Sequence, residues 1–338
     1  MIWVWWLVGG LGAILGLLLI AFLAAHAWIC WKYLWVVGRI FQEKPLFIVP
    51  FGKPVEDAED VTIPSADGAM LRGCYLKSKS PRKGVIFFGL EFGSKRWSCV
   101  EYCEFLREAG YDIFACETRG QGETPSVNGY EPLQWITEYE IIDYKAALAY
   151  LKSRPDADPR GAGLFGLSKG GGCGIFIGAE DPFLRCFVTD GIFGTLTTMV
   201  PYMAQWVMIY TKRKLLASML PKWYLRMLAK KTMRRIEAER NVHYPSLARM
   251  LPKLAPRPLF MIHGGGDTYI KPDMARSLFD EAKQPKELWI VEKAKHNQAF
   301  QIAKAEYQRR VLEFFDKNLA AAPLSGEPKA TASRENVE

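Results

Sequence analysis

Residues Gly163–Gly172 read GLFGLSKGGG, five glycines and one serine crowded around the end of an apolar run. Glycine at such a corner lets a strand turn sharply into a helix, so a purely architectural reading exists. The spacing adds a second one. Gly166, Ser168 and Gly170 form G-x-S-x-G, in which a serine sits on a strained strand-to-helix turn and the flanking glycines keep side chains away from it. The motif alone is common by chance. Its meaning depends on what the rest of the 338-residue chain can bring to that serine.

Moving outward, short apolar runs alternate with helical segments. The runs are Val85–Phe88, Tyr111–Cys116, Gly163–Gly166, Cys186–Thr189, Pro258–Ile262 and Leu288–Val291. Between and after them, the spacing predicts helices over Trp97–Ala109, Glu138–Ser153, Lys169–Ala179, Pro272–Lys283 and Asn297–Leu319. Ahead of these, DVTIP and AMLRGCYLK flank the turn signal SADG and predict a hairpin. Alternation of this kind implies an α/β fold, a mainly parallel sheet with helices on both faces. It breaks once, over 194–255, where no strand is predicted and the chain reads as an inserted helical cap. Lys212–Arg240 holds ten Lys or Arg and two Glu. Either this is a solvated helical surface, or its cations with Trp206, Trp223 and Tyr224 face an anionic leaflet. No nucleic-acid reading motif accompanies the charge, which argues against that partner.

The N-terminus differs from everything after it. From Ile2 to Val37 the ionisable side chains of consequence are His26 and Lys32, and the run exceeds the roughly 20 apolar residues a span needs. Tryptophans sit at both ends: Trp3, Trp5 and Trp6, then Trp28, Trp31 and Trp35. Trp5 and Trp28 lie about 34 Å apart on a helix, near the hydrocarbon thickness of a bilayer. Residues 1–37 therefore read as a transmembrane anchor. A cleaved signal peptide ending at the Ala25–Ala27 A-x-A lacks its basic leader, and a buried soluble helix is rarely apolar all round. Lys32, Arg39, Lys44 and Lys53 follow the span and none precedes it, which predicts a cytoplasmic main domain. Gly12 and Gly16 form one G-x-x-x-G, read as ordinary membrane-helix glycine or as a pairing face. Residues 38–60, with three prolines and an acidic patch, read as a linker to a domain over 61–319; the tail 320–338 lacks periodicity and reads as disordered. Seven irregularly spaced cysteines build neither a metal motif nor a disulfide scaffold and suit a reducing compartment.

A nucleophilic serine needs a base and a carboxylate to orient that base. Of the four histidines, His26 lies in the anchor, His243 in the insertion, and His263 ends a strand where it shapes a turn. His296, in VEKAKHNQAF, follows the last strand and precedes the final helix, so elimination makes it the base. The acid is Asp267 in HGGGDTYI, after the preceding strand; Asp190 in VTDGIF is a rival. The resulting order is Ser168, Asp267, His296, all at strand ends on one edge of the sheet. No metal or organic cofactor is implied.

These residues resemble the α/β-hydrolase fold family over about residues 60–319, closest to membrane-tethered esterase-like or serine-aminopeptidase-like members with a helical cap. The likeness rests on GLSKGG, HGGGDTYI, KHNQAF and ETRGQGET; the last is similar to a D-x-R-G-x-G-x-S turn, with Glu117 for Asp and Thr124 for Ser. It implies an eight-stranded sheet, a nucleophile elbow at Gly166–Gly170, and an oxyanion hole formed by the amides of Lys169 and Phe92. The loop carrying Phe92 departs from the pattern. Leu90-Glu91 stands where His-Gly is common, and an inward carboxylate would oppose a developing oxyanion. Either Glu91 turns away and pairs, with Lys95, Arg96 or Lys169 as partners, or the site has drifted in activity. The expected function is a serine hydrolase acting on an ester, thioester or amide of an amphiphilic, lipid-like substrate. An acyltransferase using the same triad and a catalytically weak hydrolase-like scaffold are the alternatives. Substrate identity and oligomeric state are not legible in the residues.

Overall fold

The computed structural model describes residues 2–45, 49–127, 129–210, 214 and 220–320. The tail expected to be disordered lies, from residue 321 on, outside the described residues. The chain divides into two compact units, Met1–Lys44 with Met199–Val242, and Pro45–Thr198 with His243–Glu338.

The larger unit is built on one eight-stranded sheet: β1 (Ala58–Pro64), β2 (Met70–Leu76), β3 (Gly84–Gly89), β4 (Tyr111–Cys116), β5 (Ala162–Leu167), β6 (Leu184–Asp190), β7 (Leu259–Gly264) and β8 (Lys286–Val291). Spatial order is β1-β2-β4-β3-β5-β6-β7-β8. β2 pairs antiparallel with both β1 and β4, and every other neighbour pair is parallel. The six central strands read as continuous apolar runs because both faces are covered. Alternate residues of β3 show this directly. Val85 and Phe87 enter one core, with Tyr144, Leu148, Ile175 and Leu278. Ile86 and Phe88 enter the other, with Tyr102, Leu106, Tyr307 and Phe315. The covering helices are α2 (Ser98–Glu108), α3 (Glu138–Ser153), α4 (Ser168–Glu180), α7 (Pro272–Glu281), α8 (Ala299–Ile302) and α9 (Lys304–Phe315).

The expected final helix is interrupted. Ala303 leaves helical geometry at φ −124° and ψ 39°, separating α8 from α9, and a π-type turn over Asp316–Ala320 closes the described chain. α3 begins as its sequence dictates, with Thr137 and Glu140 forming a reciprocal capping box.

The smaller unit is helical. α1 (Ile2–Gln42) runs five residues past the expected anchor boundary, so residues 38–42, read as the start of a linker, are helix. The reason is packing: a Cβ added at Gly38 would stand 3.8 Å from the Thr232 methyl group, and Phe41 is buried. From Trp3 to Ala25 every residue of α1 is exposed, and it alone among the described helices is long and apolar enough to cross a membrane. α5 (Thr195–Tyr210) starts in the sheet unit and from Met199 belongs to the helical one, as does α6 (Lys222–Arg240). The insertion expected over 194–255 is thus divided, its last part (243–255) grouping with the sheet.

Candidate active site

β5 ends at Leu167, whose backbone is still extended at φ −101° and ψ 135°, and α4 starts on the next residue. Ser168 makes that transition at φ 47°, the left-handed region that side chains rarely adopt, at a cost on the order of 1–3 kcal/mol. The two motif glycines permit it. A Cβ on Gly166 would stand 2.4 Å from the Gly171 Cα, and one on Gly170 would stand 2.3 Å from the Leu90 carbonyl oxygen. The elbow therefore packs backbone against backbone with no room for a methyl group.

Ser168 Oγ lies 3.0 Å from His296 Nε2, and His296 Nδ1 lies 2.7 Å from Asp267 Oδ2. With the Nδ1 proton on the imidazole, the hydroxyl donates to Nε2 and Nδ1–H donates to the carboxylate. Asp267 is fixed from behind, because its Oδ1 accepts the amides of Tyr269 and Ile270, each at 2.8 Å. The three side chains, 99 and 29 residues apart in sequence, come from loops after β5, β7 and β8. Asp190 does not reach the imidazole; its Oδ2 accepts the Tyr307 hydroxyl at 3.1 Å. His263 is buried, bonded through Nε2 to the Ile270 carbonyl at 2.7 Å, and burial holds it neutral by lowering its pKa. It shapes the Asp267 loop and leaves the relay to His296.

Lys169 occupies the first turn of α4, where amides have no intrahelical acceptor. Phe92 lies on the turn after β3, its ring 5.6 Å from the Lys169 ammonium. The Lys169 side chain is buried. It donates to the Leu133 carbonyl at 2.6 Å and to Glu140 Oε1 at 2.8 Å. Glu140, with no exposed surface, also accepts from the Tyr130 hydroxyl and, through Oε2, from the Thr137 amide at 2.8 Å.

Glu91 is the position where expectation and structure part. Neither Lys95, Arg96 nor Lys169 takes it. Arg96 is committed to Glu117 at 3.2 Å and Glu123 at 2.9 Å, and Lys95 lies over the Phe51 ring. Glu91 turns inward and its Oε2 accepts from Asn297 Nδ2 at 2.6 Å. Burial pushes its pKa up to about 8, the Asn297 hydrogen bond opposing and the Asp190 charge adding to the rise. Asp190 is itself raised to about 7, chiefly by burial. Asn297 was not singled out by the sequence reading, although it adjoins His296 and holds φ 55°. The ETRGQGET turn is structural. Glu117 accepts the amides of Arg96, Glu123 and Thr124, and Arg119 bridges the carboxylates of Asp143 and Asp67. Aromatic rings surround the relay: Tyr269 and Phe193 lie 5.5 and 6.1 Å from the His296 ring, and Trp135 packs edge-on against Phe193.

The described residues contain no group of metal-binding side chains. A family model described as the prolyl oligopeptidase family matches residues 97–322. The uncharacterized protein YfhR of Salmonella typhi is 24% identical over 290 residues, 80% of this chain and 86% of its own. Its Escherichia coli K12 counterpart is 24% identical over 277 residues, covering 78% and 82%. Among solved structures, the Pyrococcus furiosus esterase Pf2001 superposes with TM-score 0.59 at 21% identity, over 81% of this chain and 96% of that one. The α/β hydrolase GrgF from Penicillium sp. sh18 gives TM-score 0.57 at 17% identity, over 78% and 99%. Likeness at these identities establishes the fold.

Proposed function

Because the chain belongs to the prolyl oligopeptidase family and is a serine hydrolase of α/β-hydrolase fold, we propose that it is a membrane-anchored acyl hydrolase with Ser168, His296 and Asp267 as its triad. The observation that carries the reading is the unbroken relay, 3.0 Å from hydroxyl to imidazole and 2.7 Å from imidazole to carboxylate.

Ser168 Oγ attacks the acyl carbonyl carbon while His296 Nε2 takes the hydroxyl proton. Asp267 holds the imidazole tautomer and stabilises the imidazolium. The Lys169 and Phe92 amides donate to the tetrahedral oxyanion. His296 then gives its proton to the leaving group, the acyl–serine ester forms, and a water activated by the same imidazole releases the acid. The bond cleaved is an ester, thioester or amide. An amphiphilic substrate is favoured by two features, the aromatic rings packed about His296 and the exposed apolar length of α1. In this reading α1 crosses the bilayer, and the basic residues that follow it put the hydrolase domain in the cytoplasm.

The test is hydrolysis of p-nitrophenyl esters of increasing acyl length by the full chain in detergent. Turnover is expected to rise from acetyl toward medium chains and to fall about a thousandfold or more in Ser168→Ala. Wild type no faster than Ser168→Ala would sink the hydrolase reading. Turnover that falls with chain length would sink the amphiphilic one.

A further inference from the structure

The helical unit holds a feature the hydrolase chemistry does not use. α6 runs beside the C-terminal half of α1, in the same direction. Tyr224 bonds to His26 at 3.1 Å and packs edge-on against Phe22, the Lys231 ammonium lies 3.3 Å from Cys30 Sγ, and Thr232 and Ile236 border Gly38. At the far end Arg240 meets Gln42. α6 therefore begins at the level on α1 where the wholly exposed apolar stretch, Trp3 to Ala25, ends.

The two faces of α6 differ sharply. Tyr224, Leu225, Leu228, Ala229, Thr232 and Ile236 are buried. The exposed face carries two rows at four-residue spacing: Lys222, Arg226, Lys230 and Arg234, and beside them Trp223, Met227, Lys231 and Arg235. Across the helix there are seven basic and two acidic residues, and one of those acids, Glu239, pairs with Arg235. Trp223 is 62% exposed at the first turn, where a water-facing helix gains nothing from an indole.

The same levels of α1 carry its second tryptophan group. Lys32 lies 4.9 Å over the Trp28 ring and Arg39 lies 5.5 Å over that of Trp35. Where α6 begins, indoles interleave with cations on both helices, Trp223 with Lys222 and Arg226 on α6 and Trp28 with Lys32 on α1, which matches the chemistry of the bilayer interface: an apolar ring at the acyl boundary and a positive charge for phosphate. We infer that the exposed first turns of α6, from Lys222 to Lys230, with Lys32 of α1, form a binding surface for the phosphate headgroups of anionic lipids. The inference rests on α1 spanning a bilayer. Each cation near an anionic leaflet contributes about 1 kcal/mol, and the attraction is screened by salt.

The full chain reconstituted into liposomes with spin-labelled phosphatidylglycerol or phosphatidylcholine tests it. The fraction of motionally restricted label gives the preference between the two lipids. Wild type is expected to prefer phosphatidylglycerol about threefold or more at low salt, with the preference collapsing in about 0.5 M salt. The triple variant K222E/R226E/K230E, all at exposed positions, is expected to lose it. Equal association in wild type, or a preference untouched by salt or by the triple variant, overturns the proposal while leaving the span intact. A chain that alkaline carbonate washes from the liposomes refutes the span and the proposal with it.

Discussion

Glu91 carries the sharpest pH prediction. Its Oε2 accepts from Asn297, next in sequence to His296, and its Oε1 is buried with no partner among the described residues. Held neutral by burial, it does not oppose an oxyanion on the neighbouring Phe92 amide; ionised, it would. The sign follows. With its pKa raised to about 8, the folded protein keeps this proton through neutral pH; its contribution to stability is lost progressively from the ordinary carboxylate range up to about pH 8, and turnover declines as pH rises through that value. The alkaline limb of kcat is therefore expected near pH 8, with Asn297, Asp190, Glu101 and Tyr102 as the polar and titratable neighbours that modulate it. Glu91→Gln should move that limb upward by about one pH unit or more. An unchanged limb rejects the role. The two carboxylate candidates separate as cleanly. Asp267→Asn should lower kcat by about four orders of magnitude by favouring the wrong tautomer, while Asp190→Asn should cost less than about tenfold. Sequence order and strand-end placement single out Ser168, Asp267 and His296, three side chains that the fold brings into hydrogen-bond contact. Order and placement were not enough for Glu91, because its partner lies 206 residues away and only folding brings it near.

Among the elements, the elbow depends on how α4 is held against α3. Lys169 and Glu140 form an ion pair with both side chains almost wholly buried, and Glu140 simultaneously caps α3. Removing one partner leaves a charge in a dry site, so Lys169→Ala is expected to lower stability by about 3–5 kcal/mol. Combining it with Glu140→Gln should cost clearly less than the sum, measured by chemical denaturation; strict additivity would show the pair to be incidental. The capping box at Thr137 and Glu140 is visible in the residues, but the second use of Glu140 is not. Strand positions were legible because the central runs are apolar on both faces. The break at Ala303 was not, since no glycine or proline marks it. Nor was the extension of α1 to Gln42, which comes from packing against α6.

For the whole molecule, the anchor reading predicts that the chain stays with membranes after alkaline carbonate extraction. Leu15→Arg with Leu18→Arg, each costing about 2.5–3.5 kcal/mol at mid-span, should release it into the supernatant. A reporter fused to the C-terminus should register the cytoplasmic side, and a signal from the opposite side would reverse the topology. The proposed hydrolysis rests on Ser168, which is only 2% exposed yet lies 3.0 Å from His296 Nε2. The most direct measurement is covalent labelling by a fluorophosphonate, followed by mass mapping of the modified peptide. The account predicts one adduct, on Ser168, lost in Ser168→Ala and strongly slowed in His296→Ala. An intact, folded wild type that takes up no label, or takes it up on another residue, would contradict it.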